Sequence, residues 1–97
     1  MSRRRPLVTA EMVGCYVQVV WVDSQHQVGQ VDAEDLPEPS ELTTVGHLSA
    51  VRAESVVVSR DRLPNPSSFE WRGNLAIPLF AVRSVLVMHV EPVVAVA

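Results

Sequence analysis

Valine fills 20 of the 97 positions, and a branched Cβ packs well on a pleated sheet while losing rotamer freedom in a helix. Where the valines cluster, the period is two. Over residues 16–22, Tyr16, Gln18, Val20 and Val22 fall on one side and Val17, Val19 and Trp21 on the other, which is the alternation of a half-buried strand. A chain of this length has room for one domain. With 47% hydrophobic and 20% charged residues, it carries enough apolar material to offset the entropy of ordering. The expectation is a single all-β domain over 1–97.

Turn and breaker residues divide this domain into five strands. Residues 1–12 read as a basic arm that ends in a turn around Thr9, Ala10, Glu11 and Met12, with Thr9 placed to cap it. The first strand stops at Asp23-Ser24. Residues 32–41 hold five acids and two prolines and read as an exposed acidic loop. The second strand, 42–51, contains Gly46, which inside a strand marks a bend or a close backbone approach. Arg52-Ala53-Glu54 is a hairpin connection into a compact third strand, 55–59, buried on both faces. Residues 60–72 are expected to form a second long loop before β character resumes over 74–77 and stops at Pro78. The last strand is 82–90, followed by an apolar tail over 91–97. No helix longer than a turn or two is expected.

Charge and addressing exclude several functions. The net charge is +2 over 1–22, −6 over 23–54 and +1 over 55–97, giving −3 in all. Such a chain lacks the broad basic footprint of long-range attraction to a nucleic-acid backbone, so any such contact is local. One cysteine, Cys15, cannot form an internal disulfide and sits in an apolar run, as a small buried hydrophobe would. The basic start Met-Ser-Arg-Arg-Arg leads into Pro6 without the apolar stretch of a secretion signal. No apolar run approaches the roughly 20 residues of a membrane span. These features predict a cytoplasmic protein with no membrane partner.

The order and punctuation of the strands resemble the Sm-like (LSm and Hfq-type) small β-barrel. That fold has five bent antiparallel strands, a short hairpin between the second and third, and a one-turn corner between the fourth and fifth. Trp21-Val22-Asp23-Ser24, then Val45-Gly46-His47-Leu48, then Leu75-Ala76-Ile77-Pro78 with Val82, Val85 and Val87 resemble, more narrowly, small phage and marine-metagenome Sm-like proteins. The resemblance spans about residues 13–90. It implies a ring of five to seven subunits, in which the fourth strand of one protomer pairs with the fifth of the next, and RNA or single nucleotides bound near a central pore. For a phage-encoded chain the site of action is the host cytoplasm. The chain departs from the family pattern at Arg52-Ala53-Glu54, where RNA binders carry an acid-x-Asn signature, and at Pro78-Leu79, where they carry an Arg-Gly or Lys-His corner. The acidic 32–41 segment is a further departure and repels phosphate. A monomer would point instead to a small SH3-like adaptor.

Physical reasoning reaches self-association independently. Unpaired strand edges are normally guarded by charge, proline or a partner, and Val85-Leu86-Val87-Met88 has no such guard. For chemistry, His26, His47 and His89 are too dispersed for a metal site with one thiol. No nucleophile signature or phosphate-cradling glycine array occurs. The expectation is therefore a binding protein without catalysis, metal or cofactor. Arg52, Arg60, Arg62 and Arg72 either present guanidinium forks to phosphate or pair with Glu54, Asp61 and Glu70 as surface charge. Trp21 fits core packing, whereas Trp71 is the better platform for stacking a base. Asn74 reads a base edge or satisfies a turn, and His47 packs at an interface or lines a pore. The candidate ligand site is thus Arg52, Arg60, Arg72, Trp71, Asn74 and His47, for RNA or a nucleotide-like ligand. Two other functions fit the same residues: a protein-binding accessory factor acting through the acidic loop, and a phage sponge that sequesters a signalling nucleotide.

Overall fold

A computed structural model describes residues 8–24, 29–64, 70–89 and 93. Five antiparallel strands, β1 (Tyr16–Asp23), β2 (Ser40–Val51), β3 (Ser55–Leu63), β4 (Glu70–Pro78) and β5 (Val82–Met88), form one sheet in the order β4-β3-β2-β1-β5. Among the described residues the other regular elements are three single 3₁₀ turns, Ala10–Met12, Ala33–Asp35 and Leu79–Ala81. The fold is all-β, as the alternation of valines requires. Neither β4 nor β5 pairs with the other, so the bent sheet stays open among the described residues. Register shifts between Val20 and Trp21 against β5, and between Leu48 and Ala50 against β3, supply the local bends that bulges produce.

The core lies on one face of the sheet. Val17, Val19 and Trp21 of β1 are buried in strict alternation and meet Leu48, Val56, Val58, Ile77 and Val82, with Val8 from the N-terminal segment added to the cluster. Trp21 is a core residue whose indole Nε1 donates to Thr44 Oγ1 at 2.9 Å, which satisfies its one polar atom. In β3 all four residues Val56, Val57, Val58 and Ser59 are buried, confirming a strand covered on both faces. Gly46 explains the close approach expected of it. A Cβ there would lie 2.7 Å from the Ser59 carbonyl oxygen and 2.8 Å from Val58 Cγ1.

The turns follow the local chemistry. Thr9 occupies the cap position with extended backbone, and its carbonyl accepts the Met12 N–H at 3.0 Å. The Arg52 N–H donates to Ser55 O at 2.8 Å and closes the β2–β3 hairpin, while the Leu79 N–H donates to Glu54 O at 2.9 Å and ties the β4–β5 corner to that hairpin. Residues 31–39 are exposed throughout, as an acid- and proline-rich loop must be.

The long loop expected over 60–72 is overturned. β3 continues to Leu63 and β4 begins at Glu70, with Asp61 opposite Arg72, Arg62 opposite Trp71 and Leu63 opposite Glu70. Opposite charges facing each other across the ladder, as Asp61 and Arg72 do, stabilise what an isolated charge-rich stretch does not show. Asn74 to Ile77 is accordingly the inner part of a longer strand. β5 is described only to Met88, short of the expected 90. Residues 1–7 of the basic arm, His26, residues 65–69 and all of the tail except Val93 lie outside the described residues. Among the described residues no helix is long and apolar enough to cross a membrane.

Candidate functional site

Strand register places one residue from every strand in a single transverse row. Met88 of β5 faces Tyr16 of β1, Tyr16 faces His47 of β2, His47 faces Ser59 of β3, and Ser59 faces Asn74 of β4. Side chains directly opposite on one sheet face touch, and here the contacts are aromatic and polar. The Tyr16 and His47 rings meet edge to face with centroids 5.2 Å apart and an interplanar angle of 77°. His47 then meets Trp71 at 5.8 Å and 49°. The Arg62 guanidinium carbon lies over the Trp71 ring, 5.6 Å from its centroid, within range of a cation–π attraction.

Trp71 and Asn74 line one groove although the β3–β4 register runs unshifted past them, and a positive-φ glycine stands between the two. Gly73 has φ +70°, a backbone region that costs an L side chain steric strain. The groove, about 400 Å³, is walled by Ser49, Ala50, Arg52, Val57, Trp71, Asn74 and Ala76. Its floor is a polar relay. Ser59 Oγ, fully buried, lies 2.7 Å from Ser49 Oγ and 2.6 Å from Asn74 Oδ1, and Ser49 Oγ is 3.1 Å from the Val57 carbonyl oxygen. A hydroxyl has a single proton to donate, so with Ser59 donating to Asn74 Oδ1 the one Ser49 proton is shared between the Ser59 oxygen and the Val57 carbonyl oxygen. Asn74 Nδ2 donates to the Trp71 carbonyl at 3.3 Å. With its oxygen held and one amide hydrogen engaged, Asn74 is orientated and still carries a second N–H.

Three of the six sequence-derived site residues, Arg52, Trp71 and Asn74, therefore wall one groove, and His47 touches its indole. Arg60 and Arg72 do not wall it. Their Nε atoms lie 3.1 and 3.0 Å from the same Asp61 Oδ2. The Arg72 hydrogen bond, then that from Arg60, holds the Asp61 carboxyl below the usual aspartate range. Both guanidinium groups are largely exposed, so the clamp is a solvated one.

Sequence reasoning missed Tyr16, Ser49 and Ser59 as site residues, because their meeting depends on strand register rather than on spacing. It also missed Phe80, 93% exposed at the β4–β5 corner, where with Ala53, Glu54, Ser55, Ala76, Pro78 and Leu79 it walls a second groove of about 710 Å³. In the acidic loop the carboxylates of Asp32, Glu34 and Asp35 lie within 4.8 Å of one another, all exposed. No protein-family model matches the sequence, and no curated protein or solved structure is significantly similar to it.

Proposed function

We propose that this chain is a non-enzymatic, ring-forming Sm-like binding module of phage or mobile-element type, which takes RNA or a nucleotide-like ligand in the groove beside Trp71. One observation carries the reading. Arg52, Trp71 and Asn74, far apart in sequence, wall a single groove and supply a cation for phosphate, an aromatic surface for a base and an amide for a base edge. The polar relay through Ser59 and Ser49 preorganises that amide, which reduces the ordering cost of binding. Assembly is supported by the edges β4 and β5, each paired on one side among the described residues, and by Leu86 and Phe80, 58% and 93% exposed.

Isothermal calorimetry with uridine and adenosine monophosphates tests the site. Arg52→Ala should weaken binding about tenfold or more, the worth of a charge-assisted hydrogen bond. Trp71→Ala should weaken it about five- to hundredfold through lost stacking. Nucleotide binding that survives both substitutions, in variants that melt like the parent, rejects the groove. Native mass spectrometry reports the subunit number, and a bare monomer rejects the ring.

A second reading rests on the acidic loop. Asp32, Glu34 and Asp35 form an exposed anionic patch suited to a basic protein partner, and replacing them with Asn or Gln would abolish such docking while leaving nucleotide affinity intact. The sponge reading uses the same groove for a cyclic or ADP-ribose signalling nucleotide, and the same calorimetry with those ligands separates it.

A further inference from the structure

The groove ends a longer feature. From Trp71 on β4 the rings continue through His47 on β2 to Tyr16 on β1, with Met88 of β5 paired beyond Tyr16. All four side chains are half-buried, so each keeps surface for a further contact. A mononucleotide needs only Trp71, Arg52 and Asn74, which leaves Tyr16 and His47 without a role in its binding.

We infer that the ligand of this face is a single-stranded oligonucleotide of at least three residues, running across the strands from β4 toward β1 and laying successive bases on Trp71, His47 and Tyr16. The inference rests on the groove being a nucleotide site. Three features point to a single strand. The rings succeed one another at 5.8 and 5.2 Å, wider than the ~3.4 Å rise of stacked bases in a duplex strand, so bases resting on them must be unstacked. Neighbouring rings are turned by 49° and 77°, so the bases they carry cannot be parallel, whereas paired bases in a duplex are. Among the described residues, the positive groups beside these rings, Arg52 in the groove wall and Arg62 over the indole, lie at the β4 end. That suits one or two phosphates of a strand entering there, not the continuous basic stripe a duplex backbone requires. Aromatic side chains on an open sheet that hold two or three splayed bases are a general solution to single-strand recognition.

Fluorescence anisotropy with labelled oligouridylate and oligoadenylate of one, two, three and six nucleotides tests this on the full chain. Affinity should rise at least about tenfold from one nucleotide to three and then level off for a single copy. Tyr16→Ala should cost the three-nucleotide probe about fivefold or more, a larger loss than it causes for the mononucleotide, and be rescued by Tyr16→Phe. The length series on the parent protein stands even if Tyr16→Ala fails to fold. Affinity independent of length, with the mononucleotide still bound, overturns the inference and leaves the groove intact. A length gain that survives Tyr16→Ala assigns it to neighbouring copies and also overturns it. Equal binding of a duplex overturns it too, and loss of all nucleotide binding removes the groove reading together with it.

Discussion

At the scale of single residues, Gly46 and Ser59 show how tightly β2 and β3 are fitted together. The absent Cβ of Gly46 would meet a backbone carbonyl, Ser59 O, at 2.7 Å, and a backbone atom held in a ladder cannot rotate aside as a flexible side chain would. Gly46→Ala should therefore destabilise the fold by about 1–3 kcal/mol, the usual cost of overpacking, read as a lower urea midpoint with an unchanged slope. An unchanged midpoint would mean that β2 and β3 separate more easily than their packing indicates. Gly46 was marked as a bend or close approach by its sequence context alone, because glycine within a run of β residues has few other uses. Ser59 carried no such mark. Its value, a buried hydroxyl joining Ser49 to Asn74, depends on which residues the register places beside it.

At the scale of elements, the paired extension of β3 and β4 past Ser59 is held partly by the clamp of Arg72 and Arg60 on Asp61. The folded-state pKa of Asp61 is lowered, so its contribution is fully present above the ordinary aspartate value of about 3.9 and is lost as the pH falls through the lower folded value. Asp61→Asn should thus be less stable than the parent at neutral pH and converge on it in strong acid. The difference between their melting curves from pH 7 to pH 2 is the measurement, since other carboxylates titrate alike in both. Because the pair is exposed, salt should shrink the difference; a gap that persists in acid would assign it to packing instead. This extension was the element least visible in the sequence. Arg60-Asp61-Arg62 with Pro64 and Pro66 has the local composition of a loop, and only the cross-strand partners Arg72 and Trp71 turn it into a strand. The same misplacement hid the groove, since a Trp71 on a loop has no defined neighbours, whereas a Trp71 on β4 beside Gly73 faces His47 and Arg52's groove wall.

At the scale of the molecule, an open five-stranded sheet with a one-sided core leaves two edges and several apolar side chains without partners among the described residues. β5 pairs only with β1, and its Leu86 is 58% exposed. Leu86→Lys places a charge on that edge, the device by which sheets discourage pairing. If copies associate through β5, the variant should shift the native mass spectrum toward monomer while melting within about 0.5 kcal/mol of the parent, as surface substitutions usually do. An undiminished oligomer would move the contact elsewhere, the Phe80 corner being the next exposed apolar feature.

The amino-acid sequence by itself determined the β class, the alternation of β1 with Trp21 fitted to the core, the hairpin at 52–54, the stop at Pro78 and the exposure of the acidic loop. Each of these follows from period, turn chemistry or charge within about ten residues of chain. The tertiary structure alone decided which strands are neighbours, how far β3 and β4 extend, and that Tyr16, His47, Trp71, Arg52 and Asn74 share one face. A strand's partners and register are set by non-local backbone hydrogen bonds and by shared burial, and no local pattern of residues encodes them.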